Sequence, residues 1–339
     1  MATTDETLPT VGILSIGDMG GGIAKLLVAK GFTVVTNVTD RSQDTITRAR
    51  AVGVQLLPDD VSLVQKADVI LSIVPPRDAR ATAERIITAL SSSSSRSRAE
   101  KRALYYADLN AISPSTLRSI ATLFEKEAGG KVVLIDGAVI GGPPHLKASA
   151  SSQQQQEDWY IPSIPTSGPA ALPSPLATAL KTNHIGDQLG AASGLKMCFA
   201  SLTKGYTAIA IQAFSTAHSL GVLPDLQQAI ETTSPGVKDR LEKGVTGMSP
   251  KAYRWVGEME EIAATFREEG GWNGRAEGDV EGGGEGERLE DMFTGAAGVY
   301  RVVAEDTVLG REKVGKRERG TTVEDVAKAV AEGLQERKH

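Results

Sequence analysis

Residues 11–31 constrain this chain more than any other stretch. A short apolar run, Val11 to Ile16, leads into a glycine-dense turn, Gly17 to Gly22, and then into a helical pattern through Ile23, Leu26, Leu27 and Lys30 that stops at Gly31. An apolar run of that length suits a buried strand, and apolar positions three and four apart suit one face of a helix. Strand, glycine turn and helix in that order place an anion at a helix N-terminus, where free N–H groups and the positive end of the helix dipole converge. In such a layout Gly17 lets the backbone approach a pyrophosphate, and Gly20 lets the helix pack closely on the strand. The dinucleotide fingerprint is G-x-G-x-x-G, and here Ser15 stands at its first position. The same spacing therefore also fits a glycine-capped βα turn with no ligand.

The strands and helices that follow keep alternating. Phe32 to Val38 is rich in β-branched residues and reads as a second strand. It ends on Thr39-Asp40-Arg41-Ser42, about 20 residues past the glycine turn, where dinucleotide folds read the adenosine ribose. Arg41 with Ser42 suits a 2′-phosphate, because a guanidinium fork and a hydroxyl match phosphate oxygens. Asp40 as a helix N-cap, with Arg41 solvated, is the competing reading. Helices are expected over Thr45 to Val52, from an Asp59 cap to Lys66, and over Arg77 to Leu90; strands over Val54 to Leu57, Asp68 to Val74, Ala103 to Asp108 and Lys131 to Ile135. Val74 and Pro75 close a near-continuous apolar strand, and loops at such carboxyl ends bind ligands in open α/β sheets. Ser113 is placed to cap a helix with Pro114 at its first position. The expected fold class is α/β: a doubly wound, mostly parallel Rossmann sheet followed by an all-α C-terminal domain.

From Gly190 onward the strand signals stop. Ala191 to Leu220 carries Leu195, Met197, Phe199, Leu202, Tyr206, Ile209, Ile211 and Phe214 without a proline, as a helix buried on most sides would. Helical patterns continue over Leu226 to Thr232, Pro250 to Glu268 and Leu289 to Asp306, and Ser163 to Ala171 reads as turn-rich. The expected organisation is a disordered N-terminus at 1–9, a dinucleotide-binding domain at 10–188 with low-complexity loops at 91–98 and 147–158, a helical substrate and dimerisation domain at 189–310 with a flexible loop at 270–288, and a C-terminal tail at 311–339. A length of 339 residues favours two domains over one core. The net charge of -5 gives no reason to expect a nucleic-acid partner, and the single cysteine, Cys198, excludes a disulfide framework or a multi-cysteine metal site. With no apolar leader and no window of membrane-spanning length, a cytoplasmic protein is the expectation.

Several of these segments together resemble the β-hydroxyacid dehydrogenases, relatives of 6-phosphogluconate dehydrogenase and of imine reductases. Ile16-Gly17-Asp18-Met19-Gly20 is similar to that family's cofactor turn, and Asp108-Leu109-Asn110-Ala111-Ile112-Ser113-Pro114 to its cofactor and substrate loop. Asp136 to Gly142 resembles the substrate-binding segment, with Ile140 where the family usually has serine or threonine. Gly190 to Lys196 resembles the catalytic segment, ending on its lysine. Ala200, four residues on, stands where the family usually has asparagine. Residues 254–263 and 295–297 resemble a less characterised branch with its own helical domain. The resemblance implies NADP (or NAD) held by Gly17, Asp18, Met19, Gly20, Val74, Pro75 and Asn110, with Arg41 and Ser42 joining them as the phosphate clamp read above, and a small-molecule substrate; the apolar surface of the long helix beside a small accessory domain suggests a homodimer.

Lys196 is the candidate acid/base: desolvation lowers a lysine's pKa, so the amine can take or give a substrate proton. A lysine snorkelling to the surface is the plain alternative. Gly141 and Gly142 offer unhindered N–H groups to a carboxylate, or form only a turn before Pro143-Pro144. Lys204, two helical turns past Lys196, is a candidate for a substrate anion or for a structural role. No metal site is expected, His145 and His218 are assigned nothing, and Cys198, two residues from Lys196 and so on another face, is expected to be a packed thiol. Three functions stay open: an NADP-dependent hydroxy-acid dehydrogenase or keto reductase, an imine reductase, and a non-catalytic cofactor-binding regulator, which the departures at Ser15, Ile140 and Ala200 would explain.

Overall fold

The computed structural model describes residues 7–39, 42–92, 103–147, 158–272 and 291–337. The stretches expected as low-complexity or flexible loops, most of the N-terminus, and Asp40 and Arg41 fall outside them. The chain divides into two compact units, residues 1–196 and 197–339.

The first unit is the α/β layer. Its elements are β1 (Val11–Leu14), α1 (Asp18–Ala29), β2 (Val34–Asn37), α2 (Gln43–Ala51), β3 (Gln55–Leu57), α3 (Asp60–Lys66), β4 (Val69–Ser72), α4 (Pro76–Ser92), β5 (Leu104–Asp108), α5 (Pro114–Ala128), β6 (Val132–Gly137), a two-stranded hairpin of β7 (His145–Leu146) and β8 (Trp159–Tyr160), then β9 (Ile164–Ser167), α6 (Ser174–Leu180) and β10 (Thr182–His184). The large sheet runs β10-β9-β6-β5-β4-β1-β2-β3. Every pairing in it is parallel except β6 with β9. The order reverses between β1 and β4, the switch point at whose carboxyl edge open α/β sheets bind ligands. Each of β1, β2 and β4 is buried along its whole length, which is why β1 and β4 run largely apolar rather than alternating, while the buried Thr36 and Asn37 of β2 hydrogen-bond to Ile13 and Asp60. On one face Ile13, Ile23, Leu26 and Leu27 are fully buried against one another, each worth about 1.5–3 kcal/mol of transfer free energy. On the other, Leu63, Ile70, Ile86 and Tyr106 do the same beneath α3, α4 and α5.

Local signals explain the helix starts. The Asp59 and Ser113 side chains accept from the N–H groups of Ser62 and Thr116, as expected of N-caps, and Pro114 occupies the first turn of α5. The cap of α2 is Ser42, whose side chain accepts from the N–H of Thr45, and not Asp40. The segment expected to be turn-rich at Ser163 to Ala171 holds β9, fastened at its start by the pairing of Ile140 with Ser163.

The chain passes into the second unit within α7 (Ala191–Ala200), just after Lys196. A π-helical turn follows at Ser201–Gly205, then α8 (Tyr206–Ser219), α9 (Leu223–Thr233), α10 (Pro235–Met248), α11 (Ala252–Glu268), α12 (Phe293–Glu305) and α13 (Val323–Glu336). Three corrections arise here. α10 was not anticipated. The segment expected as a tail holds α13, whose Val323, Val326, Ala327 and Val330 are buried and which packs on α8. Finally, the helix expected to be buried on most sides is so on one side only: Met197, Ala208, Ile211 and Phe214 are buried, whereas Leu195, Phe199, Leu202 and Ile209 are exposed, as is Cys198, which was expected to be packed. Among the described residues no helix is long and apolar enough to cross a membrane.

Candidate functional site

The carboxyl edge of the sheet is built from the ends of β1, β4, β5 and β6, neighbours in the order above. After β1 the helix starts sooner than the sequence suggests. Gly17 is the N-cap of α1, with no side chain bonded to its first turn, and the remaining glycines lie inside the helix. A Cβ on Gly20 would lie 1.9 Å from the carbonyl oxygen of Ser15, so only glycine lets α1 begin so close to β1. A Cβ on Gly17 would meet nothing within 4 Å. A helix N-terminus with an open approach and an uncapped first turn is the arrangement that accommodates a diphosphate, so the residues present fit a dinucleotide. Met19 packs inward against the core, and the exposed Asp18 carboxylate lies 3.6 Å from Arg48. What Asp18, Met19 and Gly20 offer an anion is therefore their N–H groups.

After β4, the N–H of Val74 donates to Asn110 Oδ1 at 2.7 Å, and Asn110 Nδ2 donates to Ser72 Oγ at 3.0 Å. Asn110's own N–H donates to the Asp108 carboxylate. Asn110 is buried, and the contacts it makes form an internal clamp that sets the Val74-Pro75 loop. Past β2, the Ser42 hydroxyl is engaged as the α2 cap, and Arg41 lies outside the described residues.

After β6 comes the segment that receives Lys196. The Lys196 ammonium donates to the carbonyl oxygen of Val139. Burial pushes this lysine down from its ordinary 10.5 to about 8, since desolvation penalises the charged form. Both glycines that follow are shaped by Tyr160 on the hairpin. A Cβ on Gly141 (φ 135°) would lie 2.6 Å from the Tyr160 hydroxyl, and the Gly142 N–H donates to that hydroxyl at 3.4 Å. Tyr160 stacks on His145, with ring centroids 4.9 Å apart. Pro143 and Pro144 then lie against α1 so closely that a Cβ on Gly22 would come within 2.9 Å of them. The loop holding the Lys196 partner thus rests on the same helix whose N-terminus forms the anion cradle.

Lys204 belongs elsewhere. Its ammonium pairs with Glu258, both side chains largely buried, and sits 5.2 Å from the Trp255 ring centroid. Trp255 in turn packs edge-on against Tyr300. The positive charge offered to a substrate anion is already matched inside the second unit, which corrects that assignment in favour of a structural role.

Sequence reasoning missed two participants. Tyr160 lies 18 residues from Gly142 and is brought there only by the hairpin. Asp136, quoted only as the start of a motif, is a fully buried carboxylate that gathers donors from two distant segments of chain, β9 and the start of α7. A serine three residues before the lysine was the available hint, since those positions share a helix face. Among the described residues no cluster of His, Cys, Asp or Glu could hold a metal.

Residues 10–96 match the family described as NADP oxidoreductase, coenzyme F420-dependent, and residues 217–303 match a domain of unknown function, DUF1932. An uncharacterized 28.5 kDa protein of Methanothermus fervidus is 25% identical over 257 residues, covering 74% of this chain and 90% of its own. Among solved structures, 3-hydroxyisobutyrate dehydrogenase of Mycobacterium tuberculosis, with L-serine, superposes with a TM-score of 0.58 at 18% identity, covering 97% of this chain and 100% of that one. A conserved hypothetical protein of Sinorhizobium meliloti gives 0.57 at 22% identity, with 97% and 98% covered.

Proposed function

We propose that this chain, whose residues 10–96 match NADP oxidoreductases and whose fold is that of 3-hydroxyisobutyrate dehydrogenase, is an NADP-dependent oxidoreductase that moves a hydride between nicotinamide and a small hydroxy acid or its keto form, with Lys196 as the acid/base group. The observation that carries this reading is a half-buried lysine, pushed down to about 8 by desolvation, fastened to the loop that rests on the helix whose N-terminus is the candidate anion site. A general acid/base works best with a pKa near the operating pH.

The nicotinamide supplies the hydride chemistry when bound. The N–H groups of Asp18, Met19 and Gly20 hold the diphosphate, Arg41 and Ser42 the 2′-phosphate, and the Val74-Pro75 loop, set by Asn110, lines the approach. In reduction the Lys196 ammonium gives its proton to the carbonyl oxygen, which becomes the hydroxyl. In oxidation the neutral amine removes that proton. Gly141 and Gly142 bound the substrate carboxylate with Tyr160 beside them; the hydroxyl that takes the Gly142 N–H at 3.4 Å is a weak partner that a carboxylate can displace.

The protein is further proposed to be a homodimer, because Leu195 and Phe199, one helical turn apart, and Leu202 in the turn that follows stay exposed. A monomeric mass at micromolar concentration in sedimentation, with activity retained, contradicts this. NADPH turnover against keto acids, aldehydes and cyclic imines tests the main reading. Keto-acid reduction supports it, turnover of cyclic imines alone moves the assignment to an imine reductase, and tight cofactor binding without any turnover makes the protein a binding regulator.

A further inference from the structure

The Asp136 carboxylate is fully buried and accepts five hydrogen bonds. Ser167 Oγ donates to Oδ2 at 2.9 Å from β9, and the N–H groups of Gly190, Ala192 and Ser193 donate to the same oxygen at 2.9, 2.9 and 3.1 Å. Ser193 Oγ donates to Oδ1 at 2.6 Å. Every donor is an N–H or an O–H, so the group acts purely as an acceptor. Three of the donors are backbone groups at the start of α7, groups that a helix leaves without internal partners. A carboxylate there also complements the positive end of the helix dipole. Asp136 is therefore the N-terminal cap of α7, supplied from a strand 54 residues earlier.

The spacing on the two segments matches. Asp136 and Val139 are three residues apart on the strand end, and Ser193 and Lys196 are three apart on the helix. Asp136 holds Ser193, and Val139 holds Lys196. The two segments are stitched at both ends, and the stitch at Asp136 is the larger, because five hydrogen bonds meet its carboxylate whereas Lys196 makes one to Val139. We propose that Asp136, acting through Ser193 and the first turn of α7, is the positioning residue that holds the Lys196 amine at the Val139 carbonyl and out of water. This rests on Lys196 being the acid/base group.

The consequence is measurable without substrate or cofactor. Burial is the cause of the lysine's displacement from its ordinary value, with no charged group contributing. A loosened α7 start admits water and returns the amine toward 10.5. Competitive acylation of the free full-length protein across a pH series, read by mass spectrometry at Lys196, gives that titration directly. Wild type should titrate near 8. Ser193→Ala, which loses only the Oδ1 contact, and Asp136→Asn, which turns an acceptor-only group into one with its own donors, should both titrate at least about one unit higher, a tenfold change in the proton equilibrium. Ser193→Thr, keeping the hydroxyl, should stay with wild type. Thr36→Val serves as the control: it removes a buried 2.6 Å bond to the Ile13 carbonyl, destabilises the same unit, and should leave Lys196 unmoved. If Asp136→Asn does not fold, Ser193→Ala decides alone. An unmoved Lys196 in folded Ser193→Ala, or an equal shift in Thr36→Val, overturns this positioning role and leaves the proposed function standing. A wild-type Lys196 that titrates at its ordinary value overturns both.

Discussion

The value of about 8 at Lys196 makes a quantitative demand on the pH dependence of turnover. Reduction needs the ammonium, so kcat should follow the protonated fraction. For a group titrating at about 8, that fraction falls from about nine-tenths at about pH 7 to about one-tenth at about pH 9, a roughly tenfold loss of reduction rate. Oxidation needs the neutral amine, so over the same range it should gain roughly tenfold and level off above about pH 9. A lysine left at its ordinary 10.5 behaves otherwise. Reduction would stay flat across that range, and oxidation would keep climbing, by roughly a hundredfold, without a plateau. Lys196→Met preserves the side chain's length and removes the proton carrier. It should cost roughly 10²- to 10⁴-fold in kcat and abolish the limb near pH 8, while the cofactor Kd stays near that of wild type. Steady-state NADPH absorbance at saturating substrate, run in both directions over a buffer series, supplies the profiles, and calorimetric titration supplies the Kd. A flat reduction profile in wild type, or a limb that survives in a folded Lys196→Met, would refute the assignment.

Three further outcomes are expected. Gly20→Ala puts a methyl against a backbone carbonyl that cannot retreat, so thermal unfolding should show about 1–3 kcal/mol lost, whereas Gly17→Ala, with open space around it, should keep the Tm and weaken the dinucleotide by titration. Lys204→Met strands the largely buried Glu258 and should cost about 3 kcal/mol in denaturant unfolding, with no change in substrate KM once refolded protein is assayed; a raised KM would return Lys204 to the substrate site. Arg41→Ala should weaken NADPH by about 1.5–3 kcal/mol and leave NADH unchanged in fluorescence titrations, and equal weakening of both would remove Arg41 from the 2′-phosphate.

The first unit was legible because its signals are local. β1, β4 and β5 are apolar runs ended by turns, and the caps at Asp59 and Ser113 are read from three or four consecutive residues. β9 was not legible: it is four residues long, carries Pro165, and lies beside the antiparallel reversal, where its run shows neither alternation nor length. α10 escaped for a different reason. Its buried residues, Leu241, Val245 and Met248, are too few to outweigh the interior Gly244 and Gly247. Gly244 is there for packing, since a Cβ would come within 2.6 Å of Thr207 Oγ1 on α8, and that neighbour is invisible in the local sequence.

The site divides along the same line. Lys196 could be singled out as a candidate because its helix start and its motif lie together, whereas its contact with the Asp136 segment could not be read, because Asp136 meets Ser167 and Ser193 only after β6, β9 and α7 have come together. The substrate-anion reading of Lys204, offered beside a structural one, rested on arithmetic that is sound for an α-helix: eight residues make two turns and a little more, so Lys196 and Lys204 ought to share a face. Between them the chain enters a π-helical turn at Ser201–Gly205, which closes its hydrogen bonds over five residues instead of four. The face count therefore stops being valid at Ser201. Lys204 lies within that turn, where its carbonyl accepts from the Tyr300 hydroxyl and its ammonium meets Glu258 over Trp255. Gly205, directly after it, tolerates the Phe293 ring at a distance that leaves an added Cβ only 3.0 Å. The turn is thus held by α11 and α12 packing around it, and a periodicity read from residues 191–220 alone carries no trace of those contacts.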